Sequence, residues 1–143
     1  MELQQAWYSL GGGKQDCAER LKSADVLVLP SLFECGGAVV LEAMAVGLPV
    51  IATAWGGPLD YLDETSGILV APDSREALVA GFAAGMKTLA QSHHLRTKMG
   101  EAGYTRARQH FDWQRKIDQI LELYQLAQKP TGRTKRITQQ VRS

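Results

Sequence analysis

The apolar positions of this chain change period along its length, and the changes outline an alternation of strands and helices. Val26-Leu27-Val28-Leu29 is an unbroken β-branched and leucine run closed by Pro30, which predicts a strand buried on both faces. Pro49-Val50-Ile51-Ala52-Thr53 and Gly67-Ile68-Leu69-Val70 predict a second and a third strand. Helical spacing covers residues 16–23 and again 37–45, where Gly47 supplies a stop. Gly56-Gly57-Pro58 reads as a loop or turn. Asp73, with Glu76 three residues on, fits an N-cap with its reciprocal acidic partner, opening a helix that runs to about residue 90. Two further helical patterns span 95–110 and 112–127, the second placing Trp113, Ile117, Ile120, Leu121 and Tyr124 on one face. Gly11-Gly12-Gly13 breaks whatever precedes it and leaves residues 1–13 unassigned.

Strands joined by helices imply an α/β fold, a Rossmann-like parallel sheet with flanking helices and right-handed crossovers. Ligands of such sheets gather at the carboxyl ends of the strands, where the loop 30–37 lies. A length of 143 residues and 45% hydrophobic content suit one compact domain, drawn here over 14–128. No window approaches an apolar span of bilayer length, and the N-terminus lacks a basic stretch followed by an apolar one, so the chain reads as cytosolic. Cys17 and Cys35 have no zinc spacing and read as free thiols. The net charge of +1 conceals a basic tail over 129–143, where Lys129, Arg133, Lys135, Arg136 and Arg142 stand without an acid. That tail suits an acidic partner, RNA or the inner face of a membrane. Its few apolar residues, with Pro130 and Gly132, favour a solvated end, and the nucleic-acid signal is not strong.

The densest chemistry lies between Phe33 and Val50. Two carboxylates, Glu34 and Glu42, are separated by seven residues, and Gly36-Gly37 stands between them where the helix begins. A helix start exposes unpaired N–H groups and a partial positive charge, which favours phosphate. Carboxylates accept hydrogen bonds from sugar or ribose hydroxyls and repel phosphate, so the combination describes a nucleotide-sugar cradle. Other features are weaker. Gly11-Gly12-Gly13 has no Walker lysine and serine after it, and His93-His94 point in different directions on a helix.

Ala24-Asp25-Val26-Leu27-Val28-Leu29-Pro30-Ser31, followed by the Glu34 to Glu42 segment, resembles the donor-binding C-terminal domain of retaining GT-B glycosyltransferases of the family 4, or group 1, type. The likeness runs from about residue 16 to 127, through Leu41-Glu42-Ala43-Met44-Ala45, Gly47-Leu48-Pro49-Val50 and Gly56-Gly57 in order. The resemblance implies that Glu34 is the catalytic-centre glutamate beside the transferred sugar and that Glu42 binds the ribose. It assigns Cys35, Gly36, Gly37 and Ala38 to the donor, with the amides at the helix start offered to the diphosphate and sugar. It implies neither metal nor cofactor beyond the nucleotide-diphosphate sugar itself.

Two departures accompany the likeness. Cys35-Gly36-Gly37 replaces the commoner Gly-Phe-Gly, and neither the acceptor domain nor the family's Arg and Lys for the diphosphate is identifiable, since nothing around Lys14, Arg20 and Lys22 matches them. The chain is therefore expected to be a partial domain, inactive alone, that works with a missing N-terminal acceptor domain or a separate chain. An exposed sheet edge is expected to promote self-association. The alternative is a non-catalytic nucleotide-sugar-binding or partner-pairing module. A dehydrogenase lacks support, because no Gly-x-Gly-x-x-Gly opens a helix.

Overall fold

The computed structural model describes residues 14–128, so the expectations for 1–13 and for the basic tail 129–143 lie outside the described residues. In chain order the elements are α1 (Lys14–Ser23), β1 (Leu27–Leu29), α2 (Ala38–Ala45), β2 (Val50–Thr53), α3 (Gly57–Tyr61), β3 (Gly67–Val70), α4 (Arg75–Gln91), α5 (His93–His110) and α6 (Trp113–Gln128). Two compact units are present, one ending at Gln109 and the other beginning at His110.

The first unit is the expected α/β fold. Its three described strands are parallel in the order β1-β2-β3, with Val28, Ile51 and Ile68 in register across the sheet. Side chains alternate between the faces of a strand, so the central strand serves two cores at once. Val50 and Ala52 join Val40, Ala43 and Met44 of α2 with Leu21, Leu48 and Leu62 in one cluster. Ile51 joins Val70, Phe82 and Leu89, the last two from α4, together with Met99 of α5. All four residues of β2 are buried.

Strand β1 departs from the expectation of burial on both faces. Leu27 and Leu29 pack on the α2 cluster, but Val28 points to the α4 side and is 36% exposed. The reason is position: among the described strands β1 pairs with β2 alone, and α4 covers β2 and β3. The apolar run forms the expected strand, but its place as an outer one of the described strands depends on neighbours distant in sequence.

Two local expectations are also corrected. Gly56-Gly57-Pro58 does not stay a turn, since Gly57 and Pro58 open the short helix α3, where the absent N–H of proline removes no helical bond. The N-cap of α4 is Ser74, not Asp73: its extended backbone (φ −153°) aims the hydroxyl at the Ala77 N–H, 3.0 Å away. The stop after α2 stands as expected, with the Leu48 N–H donating to the Ala43 carbonyl at 2.9 Å and the Gly47 N–H to that of Met44 at 3.0 Å. In the second unit, the Asp112 carboxylate accepts from the Gln114 N–H at 2.9 Å to start α6, which carries no buried residue. No described helix is long and apolar enough to cross a membrane.

Candidate functional site

Loops leaving the carboxyl ends of β1 and β2 meet above the sheet. The loop after β1 carries Phe33, Glu34, Cys35 and Gly36, and the loop after β2 carries Trp55 and Gly56. They interlock through backbone. A Cβ on Gly56 would overlap the Glu34 carbonyl oxygen, and a Cβ on Gly57 would overlap that of Gly36. Gly56 also holds φ 60°, ψ −139°, a region closed in practice to side chains. The glycine pair therefore permits the backbone of one loop to lie directly on the other.

Gly37 is the N-cap of α2, buried and left-handed at φ 55°, ψ 42°, and no side chain of its own is available to cap the helix. Glu34 takes that role from three residues upstream: the Gly37 N–H donates to its Oε1 at 3.0 Å. The bond holds the half-buried carboxylate at the head of α2, against the positive end of the helix dipole. It also occupies one of the amides that the family resemblance offers to the diphosphate and sugar. The Ala38 and Val39 N–H groups of the first turn have no helical carbonyl behind them. Gly36 is exposed beside them, as is Cys35, a free thiol like Cys17.

Glu42 stands four residues after Ala38, hence on the same face of α2, and a helical side chain leans toward the N-terminus. Both residues are exposed. The Cys17 thiol of α1 faces Glu42 Oε2 at 3.9 Å. Glu34, Gly36, Gly37 and Ala38 are thus gathered at one helix start, and Glu42 lies one turn along. Lys22 and Arg20 sit on the last turn of α1.

Some site features were not anticipated. Phe33 and Trp55 meet edge to face, ring centroids 6.2 Å apart at 73°, while 88% and 47% exposed. No local sequence signal marks their meeting, which arises where the ends of β1 and β2 converge. Arg106 braces α3 from α5, donating through Nε to the Tyr61 carbonyl at 2.6 Å and through Nη2 to that of Asp60 at 3.2 Å. Its Nη1 lies 2.9 Å from Asp63 Oδ2. Asp63 Oδ1 accepts from the Thr65 hydroxyl at 2.6 Å, the Ser66 hydroxyl at 2.9 Å and the Thr65 N–H at 3.0 Å. The Thr65 hydroxyl is the largest cause, with Ser66 and Arg106 adding to it, and they hold the Asp63 carboxyl at about 2 although burial opposes them. Nothing in the sequence around Asp63 announces a partner more than forty residues away.

Comparison with known proteins finds relatives of this chain by sequence and by fold. Residues 2–106 match the family model described as glycosyl transferases group 1. A D-inositol 3-phosphate glycosyltransferase from Saccharomonospora viridis is 35% identical over 116 residues, covering 80% of this chain and 26% of that protein. The sucrose-phosphate synthase of Thermosynechococcus elongatus superposes with a TM-score of 0.64 at 33% identity, over 76% of this chain and 26% of the other. Anabaena HepE, solved in complex with UDP-glucose, shares the fold with a TM-score of 0.62 at 24% identity, over 77% of this chain and 30% of its own. The chain spans 12% to 31% of the length of the curated relatives it matches.

Proposed function

This chain belongs to the glycosyl transferase group 1 family, of the GT-B type, and we propose that it is the donor-binding portion of an enzyme that moves a sugar from a nucleotide-diphosphate sugar to an acceptor with retention of configuration. The observation that carries this reading is the bond from the Gly37 N–H to Glu34 Oε1, which orients a carboxylate at the head of α2 beside open backbone amides. A carboxylate has four lone-pair sites, so Oε2 stays available to a sugar hydroxyl while Oε1 is held. The Ala38 and Val39 amides and the helix dipole receive the diphosphate, and Glu42, one turn along the same face, accepts from the ribose.

In this scheme the residues bind and orient. The α2 amides stabilise negative charge on the departing diphosphate, Glu34 positions the transferred sugar, and no resident metal or cofactor is required. Retention follows if the acceptor attacks on the face the diphosphate leaves. The acceptor surface comes from outside residues 14–128, from another domain of a longer polypeptide or from a separate chain, and residues 1–143 alone do not transfer sugar. The Saccharomonospora relative's name points to a phosphorylated cyclic polyol as one acceptor class. UDP-glucose in the Anabaena protein illustrates a donor of the kind proposed.

Calorimetric titration of the 143-residue chain with UDP, GDP and ADP tests the donor site. Binding of one of them, weakened by about 1–3 kcal/mol in Glu42→Ala, is expected from the loss of a charge-assisted hydrogen bond. Equal affinity in the two proteins rejects the ribose assignment, and no binding of any of the three rejects the donor site.

A further inference from the structure

We propose that Arg106 is a positioning residue for the transferred sugar, acting through α3 on the loop that carries Glu34. The inference rests on the donor-site reading and deepens it by naming what fixes the carboxylate from outside its own loop.

Helix α3 has five residues, about 7.5 Å of axis, far short of the length at which a helix holds itself together. Its two ends are gripped by different parts of the protein. At the front, Gly56 lies against the Glu34 carbonyl and Gly57 against that of Gly36. The Pro58 ring stands beside Gly37, where an added Cβ would be 3.2 Å from Pro58 Cδ. These contacts fall on the loop that presents Glu34 and on the residue whose N–H holds its Oε1. Glu42 lies a turn along α2 from them.

At the back, the last carbonyls of a helix have no partner within it. Arg106 of α5 donates to two of them, through Nε to Tyr61 at 2.6 Å and through Nη2 to Asp60 at 3.2 Å. The remaining arm of the guanidinium, Nη1, is fixed by Asp63 at 2.9 Å, and Asp63 is tied in turn to the Thr65 and Ser66 hydroxyls. A planar fork bonded in three directions has little freedom to turn or slide. The side chains of Arg106 and Asp63 are 29% and 42% exposed, so the ion pair itself adds little stability, and its value is directional. Along a helix this short, the position set at Tyr61 passes directly to Gly57 and so to the Glu34 loop.

Amide hydrogen exchange of the 143-residue chain without ligand, followed by NMR, tests the link at the Gly37 N–H. Arg106→Ala is expected to speed its exchange roughly tenfold, because the Glu34 loop opens more often once α3 is released at its far end. Ser74→Ala is the control: it weakens the same unit at the α4 cap and should leave the Gly37 rate within about twofold. No change in Arg106→Ala, or equal acceleration in the two variants, overturns the proposal. If Arg106→Ala does not fold, Arg106→Lys is read instead. A single ammonium cannot reproduce the fork, so roughly threefold faster exchange is expected, and an unchanged rate overturns the proposal. Calorimetry with UDP-, GDP- and ADP-glucose beside the parent diphosphates then tests the sugar role. Arg106→Ala should bind the glucose conjugate roughly fivefold more weakly and the parent diphosphate within about twofold of wild type. Equal effects on the two ligands overturn that role. Absence of nucleotide binding to the wild-type chain rejects the donor reading and the sugar role with it, while Gly37 exchange still decides whether Arg106 sets the Glu34 loop.

Discussion

Gly56 lies so close to Glu34 that any β-carbon on it would overlap the Glu34 carbonyl oxygen. This contact joins the loops at the ends of two neighbouring strands and sets the backbone from which Glu34 projects. It also explains why the glycine pair follows β2: only a residue without a side chain can lie there at φ 60°.

Gly56→Ala is accordingly expected to destabilise the first unit by about 2 kcal/mol or more, through backbone strain together with the overlap. Urea unfolding followed by circular dichroism would measure it. A variant as stable as wild type would mean that the loops are not locked.

Glu34→Gln keeps the size of the side chain and an oxygen for the Gly37 N–H, but removes the charge. In a complete or reconstituted enzyme it is expected to lower kcat by about tenfold or more while the Kd for nucleoside diphosphate stays within about twofold, since the carboxylate acts on the transferred sugar in the transition state. Unchanged turnover would leave Glu34 as a helix cap alone.

Asp63 provides a pH test of the α3 brace. Its carboxyl is lowered from 3.8 to about 2 by the Thr65 hydroxyl first, with Ser66 and Arg106 contributing. A depressed acid stabilises the fold fully above its unfolded value and loses that contribution as pH falls from about 4 through about 2. The side chain is 42% exposed, so solvent screening reduces the effect to about 1 kcal/mol. The stability gap between wild type and Asp63→Asn, measured in urea across this range, should narrow as the solution is acidified. A gap that is constant with pH would remove the charge as its cause.

Ser74 and Asp73 are adjacent and both exposed, yet only Ser74 caps α4. Ser74→Ala is expected to cost about 1 kcal/mol, and Asp73→Ala to stay within about 0.5 kcal/mol of wild type. Thermal melting of the two variants separates them, and the reverse ranking would restore Asp73 as the cap.

Local chemistry makes much of this protein legible in its sequence. The runs around Val28, Ile51 and Ile68 mark the three described strands, because burial of contiguous apolar residues leaves a pattern within a few positions. Gly47 marked the end of α2, and the spacing of Glu34, Gly36-Gly37 and Glu42 marked a helix start with two carboxylates. These features depend on residues within one or two turns of each other.

What the sequence left open involved partners far along the chain. Val28 reads as core until the sheet order makes β1 an outer one of the described strands, where Val28 is 36% exposed. Gly56-Gly57-Pro58 reads as a turn until its packing on the Glu34 loop and the Arg106 brace hold α3 as a helix. The meeting of Phe33 with Trp55 has no local signature at all, since it arises where two strand ends converge. The sequence by itself determined the elements, the carboxylate pair and the helix start, all products of short-range periodicity and backbone chemistry. Only the tertiary structure decided which of the described strands lies at the centre of the sheet, which amide Glu34 holds and which aromatic rings stand beside it, because those follow from the approach of segments that covalent order keeps apart.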